Sequence, residues 1–298
     1  MAFLDAKYDY FLGYALSGGG AKGFAHLGAL MVLEKCGLKP EVIAGTSAGS
    51  LAGVFYADGF HPEEIAEIFK KTEFHNFVEL ALPRSGFLKT NRLHQFLKNN
   101  LRSKRFEELQ IPLCVVATDW QKARTVVFSE GDELVDAIVA SCSMPVIFQP
   151  HEIDAIPYVD GGLLKNFPVS IIRSSCRYLI GVNVALIIPP AEKDNIRSMT
   201  ERTYNIMSNS NTLLDKTLCD ILIETKGINK YPIFNLRNME AIMQAGYHYA
   251  AIAMNREESW KIIEKCHRHY KRQEKIYRQI QYIRDKKGEL LSGKRSEE

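Results

Sequence analysis

Ser47 lies in Gly45-Thr46-Ser47-Ala48-Gly49, the G-x-S-x-G spacing of a nucleophile elbow. That chemistry needs a serine on a tight strand-to-helix turn, so that its hydroxyl projects from the sheet edge. Gly45 and Gly49 suit such a turn, because a Cβ at either place would collide with neighbouring backbone. The context agrees: residues 41–44 read as a short apolar strand, and an Ala/Gly-rich helix runs on to about Gly59. The N-terminus of that helix favours a nearby anion. The same five residues also fit a plain turn in which Ser47 caps a helix.

Upstream, residues 17–23 read Ser-Gly-Gly-Gly-Ala-Lys-Gly. Gly18, Gly19 and Gly20 can turn several N–H groups toward one point, as a tetrahedral oxyanion requires. Lys22 adds positive charge. A phosphate loop needs G-K-[ST], but here Gly23 and Phe24 follow Lys22. A dinucleotide fingerprint is formally present as Gly18-x-Gly20-x-x-Gly23, yet the second strand leads to Gly45 where an acidic residue belongs. A turn with no ligand is the remaining reading.

A serine hydroxyl needs a base to take its proton. Of eight histidines, His26 sits on a small and apolar helix and reads as a packed core residue. His61, His75, His94 and His151 have no supporting motif. His248 follows Ser47 and Asp160 in the order of an α/β-hydrolase triad, but within a helical pattern at 239–254. Asp160 is better placed. In Tyr158-Val159-Asp160-Gly161-Gly162 an acid ends a short apolar run, and the two glycines after it allow close backbone approach. Beside Ser47 it can accept the proton directly; alone, it is equally an Asp-Gly turn between strands.

Together these three elements resemble the patatin-like phospholipases, whose signature is a G-G-G-x-[RK]-G loop, a G-x-S-x-G elbow and a D-G-[GA] motif, in that order. The chain carries Gly18 to Gly23 with Lys22 at the basic position, then Gly45 to Gly49, then Asp160-Gly161-Gly162. The block at 140–145 with Phe148 and Pro150, and Asn166 and Pro168 after the Asp, extend the likeness over residues 8–184. The resemblance implies a Ser–Asp dyad of Ser47 and Asp160, an oxyanion hole of the Gly18, Gly19 and Gly20 amides, and hydrolysis of a lipid or phospholipid ester through an acyl-serine. It implies neither metal nor cofactor. A triad esterase using His248, and a noncatalytic nucleotide- or lipid-binding module, are the competing readings.

Positioning these groups takes alternating strands and helices. Strand patterns at 8–16, 41–44, 113–117, 125–128 and 178–184 are separated by helical ones at 24–36, 132–140 and 195–218. Such alternation predicts a three-layer α/β/α fold with a mostly parallel central sheet. Hydrophobic residues at 46% supply ample core, and no 18-residue apolar run or secretory leader is visible. Six scattered cysteines with no C-x-x-C pair suit reduced thiols and a cytoplasmic setting. An apolar-rich stretch at 74–88 is a candidate lid or groove wall, with ordinary core as its alternative.

The net charge of +3 divides unevenly: residues 255–298 hold 13 Lys/Arg against 8 Asp/Glu, and residues 1–254 hold 25 against 27. The expected division is therefore a catalytic domain at 1–254 and a basic helical extension at 255–298. A narrow apolar stripe there, Ile263, Cys266, Tyr270, Tyr277, Ile280 and Ile283, suits packing on the body, pairing with a second copy as a homodimer, or peripheral contact with an anionic membrane. No nucleic-acid partner is expected.

Overall fold

The computed structural model describes residues 8–71, 79–80, 86–187, 195–231 and 236–293. In chain order these form β1 (Tyr10–Leu16), α1 (Phe24–Lys35), β2 (Val42–Thr46), α2 (Ala48–Ala57), α3 (Pro62–Lys70), β3 (Glu79–Leu80), β4 (Gly86–Lys89), α4 (Asn91–Asn100), β5 (Leu113–Asp119), β6 (Arg124–Phe128), α5 (Leu134–Ser141), β7 (Val146–Phe148), β8 (His151–Ile153), β9 (Ile156–Asp160), α6 (Val169–Ile172), β10 (Cys176–Asn183), α7 (Ile196–Ser210), α8 (Leu213–Thr217), β11 (Ile221–Glu224), α9 (Met239–Met254) and α10 (Glu257–Gly293).

The strands follow the path β11-β10-β1-β2-β5-β9-β8, with β6 also pairing to β5. The first five are parallel; β6 and β9 pair antiparallel to β5, and β8 pairs antiparallel to β9. β1 and β2 are apolar runs because both faces are covered. Side chains alternate between those faces. Tyr14, Leu16 and Ile43 enter the large cluster with residues of α1, α2 and α9, while Ala15, Val42 and Ala44 meet Phe167, Val169 and Ile172. The expected α/β layering is present, with one thick helical layer and one thin layer built on α6 and its preceding loop.

β5 is the ruler of the fold. Val115 and Val116 pair with both β2 and β6, and Ala117 to Asp119 pair with both β6 and β9. A strand has only two edges, so β2 and β9 occupy the same edge of β5 in succession. Thr46 is opposite Val116 and Asp160 is opposite Ala117. The residue before Ser47 and the acid of the D-G-G motif are thus set by adjacent positions on one strand.

Three features differ from the sequence expectation. A small second sheet, β3-β4-β7, joins Leu88 to Phe148. The helix expected at 195–218 is two, α7 and α8, because Asn211 turns away to bond the chain near Gly162. In α10 only the first part of the stripe is covered. Ile263 and Cys266 are buried, His267 bonds the Cys36 carbonyl and Tyr270 the Lys39 carbonyl, whereas Tyr277 is 62% exposed. No helix among the described residues is long and apolar enough to cross a membrane. All six cysteines are free thiols.

Candidate active site

β1 and β2 are parallel neighbours with Leu16 opposite Gly45, so the loops after them leave one sheet edge side by side. A Cβ on Gly18 would stand 3.3 Å from that of Ser47. Ser47 adopts φ 52°, ψ −122°, a conformation that costs an L residue about 1–3 kcal/mol. The surroundings impose it. The Ser47 N–H donates to Ser141 Oγ at 2.8 Å, and the Ser47 carbonyl accepts from Ser50 Oγ at 2.6 Å. Packing under the elbow has no room for a side chain, since a Cβ on Gly49 would lie 2.2 Å from the Leu16 carbonyl oxygen.

Asp160 is 3% exposed. Its N–H donates to the Ser143 carbonyl at 2.9 Å, its own carbonyl accepts from Thr118 Oγ1 at 3.2 Å, and its Oδ1 accepts the Gly162 N–H at 2.7 Å. Burial raises its carboxyl to about 6, opposed by the Ser47 side chain, the Gly162 N–H and the Tyr204 hydroxyl. At neutral pH it is therefore mostly ionised and only weakly acidic, as a base should be. The turn after it is tied down at Asn211, whose side chain donates to the Gly162 carbonyl at 3.0 Å and accepts the Asn166 N–H at 2.8 Å.

In the glycine loop the Gly18 N–H donates to the Asn166 carbonyl at 3.0 Å. Among the described residues the Gly19 and Gly20 amides meet no protein acceptor. Lys22 is 1% exposed, and burial lowers its ammonium to about 8 against the pull of Glu201. His26 is fully buried; its Nε2 bonds the Ser17 carbonyl at 2.8 Å, and burial lowers it to about 4. It is a neutral brace beneath the loop, in keeping with the core reading of this residue.

Ser47, Asp160 and the glycine loop line one cavity of about 170 Å³. Much of its remaining wall is apolar, with Leu51 of α2, Ile65 and Phe69 of α3, Leu93 of α4, and Met144 and Phe148. The stretch at 74–88 lies largely outside the described residues. Among the described residues no histidine lines the cavity, and His248 is exposed on α9. Among the described residues no group of three or more His, Cys, Asp or Glu could hold a metal. Sequence reasoning missed the placing roles of Ser141 and Asn211 and the presence of Tyr204, which reach the site only through tertiary packing; Ser141 carried one signal, its place in the block at 140–145.

The sequence model of the patatin-like phospholipase family matches residues 14–172, which hold all three motifs. An uncharacterized NTE family protein of Mycobacterium tuberculosis is 33% identical over 177 residues, 58% of this chain and 47% of that protein. The cUMP-AMP-activated phospholipase of Escherichia coli is 28% identical over 180 residues, 52% of this chain and 55% of that protein. The match thus spans about half the length of these relatives. The crystal structure of VipD from Legionella pneumophila aligns with 83% of this chain and 67% of its own, at 14% identity and a TM-score of 0.48. With the family match covering more than half of its length and every motif inside it, the chain belongs to the patatin-like phospholipase family.

Proposed function

We propose that this protein is a lipid acyl hydrolase that cleaves carboxylic esters through a Ser47–Asp160 dyad. The observation that carries the reading is the buried Asp160 carboxylate beside Ser47, ionised at neutral pH, in a cavity that no histidine among the described residues lines. In the reaction the Ser47 oxygen attacks the ester carbonyl and its proton passes to Asp160. The oxyanion that forms is met by the Gly19 and Gly20 amides, because the Gly18 N–H is committed to Asn166 and anchors the loop. Asp160 then gives the proton to the departing alcohol, leaving an acyl-serine. Water repeats the sequence and releases the acid.

The apolar wall suits the acyl chain of a lipid or phospholipid, and the related phospholipase of E. coli supports that substrate class. Contact with an anionic membrane through the basic helix belongs to the same proposal. The test is labelling with a fluorophosphonate, followed by hydrolysis of p-nitrophenyl esters of graded length. Labelling lost in Ser47→Ala and hydrolysis lost in Asp160→Asn are expected. A folded Ser47→Ala protein that still hydrolyses the esters would refute the dyad.

A further inference from the structure

Helix α7 lies beyond the residues that the family match covers. It is pinned over the site by side chains that bond main chain: Asn205 donates to the Leu186 carbonyl at 3.1 Å and Asn209 to the Ala185 carbonyl. Just past its end, Asn211 grips the turn that follows Asp160. Between these anchors the Tyr204 hydroxyl is buried and has no hydrogen-bond partner of ordinary geometry. A buried polar group without a well-formed bond in a packed site calls for an explanation.

Its position supplies one. A Cβ on Gly162 would lie 2.4 Å from the Tyr204 hydroxyl and 3.1 Å from Asp160 Oδ1, so both oxygens border the space that this glycine leaves open. Burial and the Asp160 charge hold the phenol protonated well above its usual range, so it remains a donor at every working pH. Asp160 already accepts one N–H, from Gly162.

We propose that Tyr204 is a positioning residue, whose hydroxyl donates to the Asp160 carboxylate and so steadies the ionised base that Ser47 requires. The assignment rests on the Ser47–Asp160 dyad. It accounts for a hydroxyl buried with Asp160 as its acceptor, which a small rotation of either side chain brings to ordinary hydrogen-bond geometry. A donor of this kind favours the anion over the acid and extends its activity to lower pH. The other titratable groups facing Asp160 are the Cys142 thiol at the end of α5 and, across the cavity, Lys22; the Cys142 thiol is pushed far above its usual range, and neither changes charge near pH 6.

The experiment is the pH dependence of fluorophosphonate labelling at Ser47, and of kcat/KM on a short p-nitrophenyl ester, for the full chain, Tyr204→Phe and Asp160→Asn. Tyr204→Phe should move the acid limb up by about one pH unit. Its rate should fall about tenfold at pH 5 and rejoin the parent above pH 8. Its melting temperature relative to the parent should be lower at pH 8 than at pH 5, since only the ionised carboxylate gains from the hydroxyl. Superimposable profiles, or a uniform loss at all pH with a lower melting temperature, would overturn the assignment. Asp160→Asn separates the two levels. If it labels as fast as the parent, the dyad fails and Tyr204 with it; if it is silent while Tyr204→Phe keeps the parent profile, only Tyr204 fails.

Discussion

Ser141 accepts the Ser47 N–H at 2.8 Å while donating its own hydroxyl to the Val116 carbonyl at 2.6 Å. One small side chain at the end of α5 thereby clamps the strained elbow to the strand that also sets the position of Asp160. Ser141→Ala leaves a buried N–H and a carbonyl without partners and should cost about 1–3 kcal/mol. Because the elbow can then relax, labelling of Ser47 should slow by at least tenfold. Ser259→Ala is the control, since that hydroxyl donates to the Ala253 carbonyl at 2.7 Å, at the end of α9. It should cost about 1 kcal/mol with unchanged labelling, as paired thermal melts and labelling rates will show.

The carboxyl of Asp160 titrates at about 6 against an ordinary 3.8. As a base it works ionised, so kcat/KM should fall along a one-proton limb below pH 6. The sign for stability is opposite. Between pH 3.8 and 6 the folded state holds more protons than the unfolded one, so Asp160 weakens the fold as pH rises through that window, and the full cost is present above 6. Asp160→Asn should therefore be inactive yet more stable at pH 7.5, by about 1–3 kcal/mol, with the gain gone near pH 4. Denaturant titration at the two pH values measures it.

The legible parts of this site were those written in adjacent residues. Ser47 and Asp160 each sit in a glycine-flanked motif whose reason is local: a turn with no room for a Cβ. β1, β2, β5 and β10 were readable because strands buried on both faces must be apolar throughout. Tyr204 and Asn211 gave no such signal, since their partners lie more than 40 residues away and only packing brings them together. The break at Asn211 was hidden for the same reason. The commitment of the Gly18 N–H to Asn166 is likewise a fact of tertiary structure, and no glycine pattern announces it.

Lys22 carries a buried ammonium lowered from 10.5 to about 8. Here the unfolded state binds more protons between pH 8 and 10.5, so the fold gains stability as pH rises through that window and bears the full penalty below 8. Lys22→Met should raise the melting temperature at pH 7, by the equivalent of about 1–3 kcal/mol, and lose that advantage above pH 10.5. Its ester hydrolysis should fall, because the positive charge beside the oxyanion loop is gone. Melting curves at both pH values, with rates at pH 7, decide the matter.

Gly49→Ala and Gly227→Ala test whether the elbow is limited by space or by conformation. A Cβ at Gly49 meets the Leu16 carbonyl oxygen at 2.2 Å, and backbone on both sides cannot yield. At Gly227 the φ is +78° and nothing lies within 4 Å. Gly227→Ala should cost only the left-handed strain, about 1 kcal/mol, and keep full activity. Gly49→Ala should cost several times more and abolish labelling of Ser47 in any folded fraction.

The basic helix has two halves with different work. Up to Tyr270 it is part of the body: Phe11 stacks on His269 at 3.9 Å, and His269 bonds Glu41 at 3.1 Å, beside the buried Ile263 and Cys266. Those contacts lie at the start of β1 and on the segment that precedes β2, whereas Ser47 follows β2, about 17 Å along the strand. Ending the chain at 254 should therefore cost about 3 kcal/mol or more in lost burial and confound any test of membrane contact. Ending it at 270 should leave the melting temperature and the hydrolysis of soluble esters intact while removing 9 Lys/Arg and 5 Asp/Glu. If the tail engages anionic lipid, residues 1–270 should bind phosphatidylserine vesicles at least tenfold more weakly than the full chain at low salt, and the difference should shrink at high salt. Equal binding by the two chains would move any membrane contact away from the tail, to the end of the sheet where the cavity opens.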